Sequence, residues 1–132
     1  MTEIELQEKF IGYITTKKGY SAENLLIEFK VGVLRIDLLI VNKSKGDLFE
    51  VNKSKSENLA LIEFKSKEYD PEQCIEQLNT YLNAIGDTKI PSFLVSSAES
   101  NTQGFDVFIL TKYGLQQIDT ENFPSFNNLQ NQ

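Results

Sequence analysis

The sequence predicts an α/β domain in which a central mixed sheet is flanked by helices. Three observations predict it: two amphipathic helical stretches, a series of short apolar runs rich in β-branched, leucine or aromatic residues, and a strand, helix, strand order in the middle of the chain. That order implies a right-handed crossover, which sets the second of the two strands parallel to the first. With 132 residues, 40% of them hydrophobic and 24% charged, the chain is long enough for one sizeable core and short for two.

Residues 3–18 read as the first helix, because Leu6, Phe10 and Ile14 recur at intervals of four while Glu3, Glu8, Lys17 and Lys18 fall outside that stripe. Thr2 with Glu5 fits a capping box, the two lysines suit the negative end of the helix dipole, and Gly19 supplies a left-handed stop. Three extended segments follow, at 25–31, 33–41 and 59–65, and read as a meander. Residues 42–58 form an extended polar hairpin loop in which VNKSK occurs twice, a local duplication too brief for a solenoid. Its Lys43, Lys45, Lys53 and Lys55 read as a solvated tip, with phosphate contact as the functional alternative.

The second helix has Asp70 as N-cap, Pro71 at its first position, Gln73 to complete a capping box and Gly86 beyond its end. Ile75, Leu78, Leu82 and Ile85 form its apolar face, which needs a sheet to lie on. Residues 91–97 and 104–110 are the remaining strands. The domain is therefore expected over 1–118, with the Asn/Gln-rich stretch 119–132 as a loosely held tail or a junction.

Composition narrows the chemistry. The chain has no histidine and a single cysteine, which excludes the usual zinc sets, Ser-His-Asp triads, Cys-His pairs and an internal disulfide. Cys74, with no basic neighbour in sequence, reads as buried packing. The net charge of −6 argues against holding nucleic acid by bulk electrostatics but leaves room for a locally neutralised site. No apolar run approaches the length of a membrane span, and the opening MTEIELQEKF lacks the apolar region of a secretory signal, so a cytoplasmic location is expected. There is no G-x-x-x-x-G-K-[ST] motif, hence no ATP site in this chain, and no G-x-G-x-x-G.

The chemical signal lies in two strands. In LALIEFKSK, Glu63 and Lys65 interrupt an apolar run, and residues two apart on a strand face the same way, about 7 Å apart by the strand rise. In VLRIDLLIV, Asp37 stands between Ile36 and Leu38 where a core strand would take another aliphatic side chain. A carboxylate there is costly unless it is paired, hydrogen-bonded or bound to a metal. Taken singly, each acid has a bland partner two residues away, Arg35 for Asp37 and Lys65 for Glu63, in surface pairs of small worth. Taken together, two acids on adjacent strands suggest a shared cation.

An acid separated by 25 residues from E-x-K, in a helix, meander, helix, strand order, resembles the PD-(D/E)XK nuclease superfamily, and within it the N-terminal nuclease domain of type I restriction enzyme R subunits. The resemblance runs from about Glu5 to Ser97 and is carried by LQEKFIGYITTKKGY, LRIDLLIVN, LALIEFKSKE and IEQLNTYLNAIG. Ile36 departs from it, standing where the superfamily name has proline.

The resemblance implies a restriction-endonuclease-like αβββαβ core and Mg²⁺-dependent hydrolysis of DNA phosphodiester bonds, as an endonuclease. Mn²⁺ is the expected substitute ion, and the partners would be DNA and other subunits of a restriction or DNA-processing complex. It assigns Asp37 and Glu63 as Mg²⁺ ligands, with the Phe64 carbonyl as a further one, and Lys65 to aid water attack. It adds Gln77 as a catalytic position, from the Q-x-x-x-Y helix that follows the E-x-K strand in relatives, with Tyr81 in support. A glutamate of the first helix, Glu5 or Glu8, would also reach the metal. The transition state of phosphodiester cleavage and its alkoxide leaving group both need positive charge, which such a site supplies. The competing readings are a non-catalytic protein-interaction module that keeps the nuclease fold, and an RNA-directed or structure-specific nuclease with the same residues.

Overall fold

In the computed structural model, which describes residues 1–43 and 56–131, helix α1 spans Glu3–Lys17 and starts as its sequence predicts. The Thr2 hydroxyl accepts a hydrogen bond from the Glu5 backbone N–H at 3.1 Å, and Gly19 takes a left-handed φ of 79° after the last turn. Leu6, Phe10 and Ile14 are wholly buried.

The strands are β1 (Leu25–Val31), β2 (Leu34–Lys43), β3 (Ser56–Lys65), β4 (Ser92–Ser97), β5 (Phe105–Thr111) and β6 (Gly114–Ile118), and they lie in the sheet in chain order. Every neighbouring pair is antiparallel except β3 and β4, which are parallel and joined through helix α2 (Pro71–Ile85), so the sheet is mixed, as expected. Strand β6 escaped the sequence reading because GLQQI offers few apolar side chains, and its two glutamines are exposed. The predicted loop 42–58 is shorter than expected: Asn42 and Lys43 extend β2, and residues 56–58 open β3. Lys45, Lys53 and Lys55 lie outside the described residues.

One irregularity governs everything downstream on β3. Ile40 pairs with Ala60 but Val41 pairs with Asn58, so Leu59 is an extra residue, a β-bulge. The buried Asn24 side chain donates to the Val41 carbonyl beside it, at 3.1 Å. Because side chains alternate along a strand, the extra residue sends Leu59 into the core under α1 while Leu61 packs on the α2 side. Strict alternation without the bulge would place the two leucines on one face.

Each face of the sheet carries its own core. On the α1 side the rings of Phe64, Phe105 and Phe123 meet Phe10 edge to face at 5.7, 5.4 and 5.2 Å between centroids. On the other side α2 covers Ile36, Leu39, Val41 and Leu61 with Leu78, Tyr81 and Leu82. Helix α2 is rolled relative to its expected stripe: Cys74 and Tyr81 are buried with Leu78 and Leu82, while Ile75 and Ile85 are only half-buried. Asp70 caps the Glu72 N–H at 3.0 Å, one residue short of the expected capping box, and Gln73 stays exposed. Gly86 ends the helix in the left-handed conformation, as predicted.

The C-terminal stretch is not a loose tail. A 3₁₀ turn at Thr120–Asn122 leads to helix α3 (Phe126–Gln130), and Phe123 and Leu129 are buried to 1% and 2% exposure in the α1-side core. The Tyr20 hydroxyl donates to the Pro124 carbonyl at 2.8 Å, and the Phe126 N–H donates to the Lys18 carbonyl at 2.8 Å. Asparagine and glutamine dominate the composition here, yet Phe123, Phe126 and Leu129 recur every third residue, a stripe too short to register as periodicity. Truncating a buried phenylalanine to alanine costs about 3–5 kcal/mol. Phe123→Ala should therefore lower the unfolding free energy by that order in urea titration, whereas a disposable tail would leave the midpoint unmoved.

Candidate functional site

The bulge decides which face of β3 carries the charged residues. Past Leu59 the alternation puts Leu61, Glu63 and Lys65 on the side covered by α2, and Asp37 shares that side with Leu39 and Val41 of β2. The pairing of β2 with β3 ends at Leu38 opposite Ile62. Just beyond it, the Phe64 N–H is taken by the Asp37 carboxylate, with Oδ2 accepting at 2.9 Å. An acid side chain thus substitutes for a ladder carbonyl where the strands part.

Glu63 is 3% exposed, and its Oε1 lies 3.5 Å from the Lys65 ammonium. Its other oxygen, Oε2, is buried with no hydrogen-bond partner. Burial, then the negative charge of Asp37, push the Glu63 carboxyl up to about 8 against the opposing pull of Lys65. Burial also raises Asp37; hydrogen bonds donated by the Phe64 N–H and by the protonated Glu63 carboxyl, with the charges of Lys65 and Arg35, offset part of that. The two acids therefore form one adjoining pair that is short of positive charge. Arg35 does not neutralise Asp37 directly; it lies 3.8 Å from Glu28 in an exposed pair. Glu28 itself has a left-handed φ of 53°, at the place in β1 that the register sets opposite Asp37. No feature of its sequence announces that strain, of order 1–3 kcal/mol for such a residue.

Helix α2 closes the site from above. Tyr81 is buried in the cluster with Ile36, Leu39 and Leu61 on the acids' side of the sheet, and burial, then the negative charge of Glu63, raise its hydroxyl. The Gln77 amide donates to the Tyr81 hydroxyl at 2.6 Å, which makes the two a linked unit. Cys74 is buried, as expected, and its thiol is raised by burial while feeling both Lys65 and Glu63. Its place beside the acids had no signal in the sequence. A cleft of about 350 Å³ opens beside Lys65 and is lined by Lys67, Tyr69, Ser96 and Ser97 among others. The sequence reading missed these, because Ser96 reaches Lys65 only through the parallel pairing of β4 with β3.

The structure thus gathers Asp37, Glu63, Lys65, Gln77 and Tyr81. It does not gather the glutamates of α1. Glu5 and Glu8 are exposed on a helix that packs through Leu6, Phe10 and Ile14 onto the opposite face of the sheet. Neither is among the groups that act on Asp37 or Glu63. Phe64 contributes its N–H to the site, while its ring points the other way into the Phe10 cluster. Among the described residues no three carboxylate or thiol side chains converge as a metal-binding group. Two carboxylates suffice for Mg²⁺, which keeps several waters and takes substrate phosphate oxygens. A Glu63 Oε2 to which no other group donates, and two acids that must share a proton for want of positive charge, fit such a hard cation.

No protein-family model, curated protein or solved structure matches the chain. No helix among the described residues is long and apolar enough to cross a membrane.

The raised Glu63 fixes the sign of a pH effect. Between its ordinary range and about 8, the unfolded chain has lost this proton while the folded chain keeps it, so stability falls as pH rises across that window. Asp37 shifts in the same direction. In chelator-treated buffer, Glu63→Gln should melt higher than the parent at pH 8 and lose that advantage as pH falls towards 4.5. A constant gap across the window would show that Glu63 is not held protonated.

Proposed function

We propose that this chain is a Mg²⁺-dependent deoxyribonuclease domain of the PD-(D/E)XK type, acting as an endonuclease and similar to the N-terminal domain of type I restriction enzyme R subunits. The observation that carries the reading is the side-by-side placement of the Asp37 and Glu63 carboxylates across β2 and β3, with the Lys65 ammonium 3.5 Å from Glu63. The helix, three antiparallel strands, helix, parallel strand order supports it, since a restriction-endonuclease-like αβββαβ core would need that order.

Asp37 and Glu63 would hold Mg²⁺, or Mn²⁺ in its place, with the Phe64 carbonyl as a third protein ligand. When bound, the ion supplies Lewis-acid stabilisation of charge on the phosphoryl oxygens. The protein's own contributions are separable. The Phe64 N–H fixes the Asp37 carboxylate in one orientation. Lys65 orients the attacking water and offsets negative charge as the phosphodiester passes to its five-coordinate geometry. Gln77 donates its amide to the Tyr81 hydroxyl and would act on the site through it. Burial under α2 limits competing water, which strengthens each of these interactions. DNA, and other subunits of a restriction or DNA-processing complex, are the partners this reading proposes.

Two measurements test it. Supercoiled plasmid incubated with Mg²⁺ should be nicked or linearised, and Asp37→Ala or Lys65→Ala should slow this by at least about 100-fold, the order associated with losing one charge-stabilising or proton-handling group. Mg²⁺ at a hundred times its dissociation constant should stabilise the parent fold by about 2.7 kcal/mol. Asp37→Ala should lose that gain. Cleavage at equal rates by all three proteins would reject the site, and a parent whose melting ignores Mg²⁺ and Mn²⁺ would favour a non-catalytic interaction module.

A further inference from the structure

A second and larger cleft, of about 640 Å³, lies on the α2 side of the sheet, between α2, the chain leading into β4 and the β5–β6 turn. Its floor is apolar, built by Ile75, Leu82 and Leu110, and its rim is polar. Neither acid of the site above lines it, nor does Lys65. Ser92 at the base of this cleft and Ser96 beside Lys65 are four residues apart on β4, about 13 Å by the strand rise.

Charge and an unmet hydrogen bond both point to a ligand. The chain carries a net charge of −6, yet no acid lines this cleft, while Lys89 and Lys112 enter it from separate loops. Among the described residues neither lysine forms an ion pair. The Lys112 ammonium lies 5.0 Å from the centre of the exposed Tyr113 ring, a cation–π contact. Ser92 is 2% exposed, and its hydroxyl has no hydrogen-bond partner. Phe93 beside it packs in the opposite core, so alternation turns Ser92 to the cleft side. A buried hydroxyl without a partner is unfavourable, and a ligand group reaching the base would satisfy it. The volume falls in the range of small-molecule sites, and an apolar floor with a few convergent polar groups is their usual make-up.

We propose that this cleft binds a phosphate monoester of nucleotide size, with the phosphate between Lys89 and Lys112, a flat body on the apolar floor and a polar edge within reach of Asn79 and Ser92. Two sources share this chemistry, a free nucleoside 5′-phosphate and the 5′-phosphorylated end of a nucleic-acid strand. The site is independent of the proposed nuclease activity.

Calorimetric titration of the full chain in chelator, where no metal-dependent cleavage occurs, tests it. The probes are adenosine 5′-monophosphate, adenosine, and one short oligonucleotide with either a 5′-phosphate or a 5′-hydroxyl. Adenosine 5′-monophosphate should bind at least about tenfold more tightly than adenosine, a difference of about 1.4 kcal/mol. The Lys89→Ala/Lys112→Ala double variant should lose that preference with an unchanged circular dichroism spectrum. Ser92→Ala should weaken binding, whereas a hydroxyl idle in the complex would leave it unchanged and remove Ser92 from the site. Asp37→Ala should bind as the parent does, which separates this result from the fate of the nuclease reading. Tighter binding of the 5′-phosphorylated strand than of the mononucleotide assigns the site to strand ends, and the reverse order assigns it to free nucleotides. Equal affinity for adenosine and its monophosphate, or a double variant that binds like the parent, would overturn the proposal, as would the absence of binding by both phosphorylated probes.

Discussion

Two acids set side by side under a helix, sharing one nearby ammonium and unable both to ionise cheaply, are the constraint around which the rest of this structure is arranged. Asp37 is steadied by a single backbone N–H, and Glu63 by one lysine at 3.5 Å, with its second oxygen left without a partner. A folded chain does not keep such a pair for stability. Burying a charge without full compensation is costly, and an aliphatic residue at either place would extend the apolar runs that flank it. Positive charge brought to the pair would relieve that cost.

Holding that pair in register requires β3 to be gripped from both faces. The phenylalanine cluster beneath α1 anchors Phe64, the residue between Glu63 and Lys65, while Leu78, Tyr81 and Leu82 of α2 press on Leu61 from the other side. The C-terminal segment belongs to the same grip, since Phe123 closes the cluster around Phe10 and lies 4.7 Å from the Phe93 ring of β4. Stability and site geometry are therefore coupled through one strand: loosening either core would let the β3 backbone shift, and with it the Phe64 N–H that orients Asp37. The strained Glu28 on the edge strand belongs to the same neighbourhood. Local backbone strain is tolerated where surrounding structure over-determines it.

Much of this was legible in the sequence. Thr2 and Gly19 marked the ends of the first helix, Asp70, Pro71 and Gly86 those of the second, and residues 25–31 coincide with β1. The acids were legible as interruptions, Asp37 among aliphatics and Glu63 within LALIEFK, and their meeting across β2 and β3 followed from the meander. Other features were not. The Leu59 bulge has no signature in its residue types, and it sends Leu59 and Leu61 to opposite cores. Tyr81, expected in a supporting role, lies off the apolar stripe of the second helix, so nothing local signalled that the roll of α2 would bury it. Glu5 and Glu8 were candidates only through the family resemblance, and no local signal says which face of the sheet their helix takes.

The sequence by itself determined where the elements begin and end and which residues could not be ordinary core, since capping, left-handed glycines and apolar periodicity are short-range effects written in a few neighbouring residues. Tertiary structure alone decided which face each side chain occupies. A single extra residue reverses the parity of a strand, and the packing of each helix chooses its face of the sheet from many distant contacts at once. For that reason Glu63 and Lys65 come under α2, Glu5 and Glu8 do not, and a polar C-terminal stretch supplies part of the core.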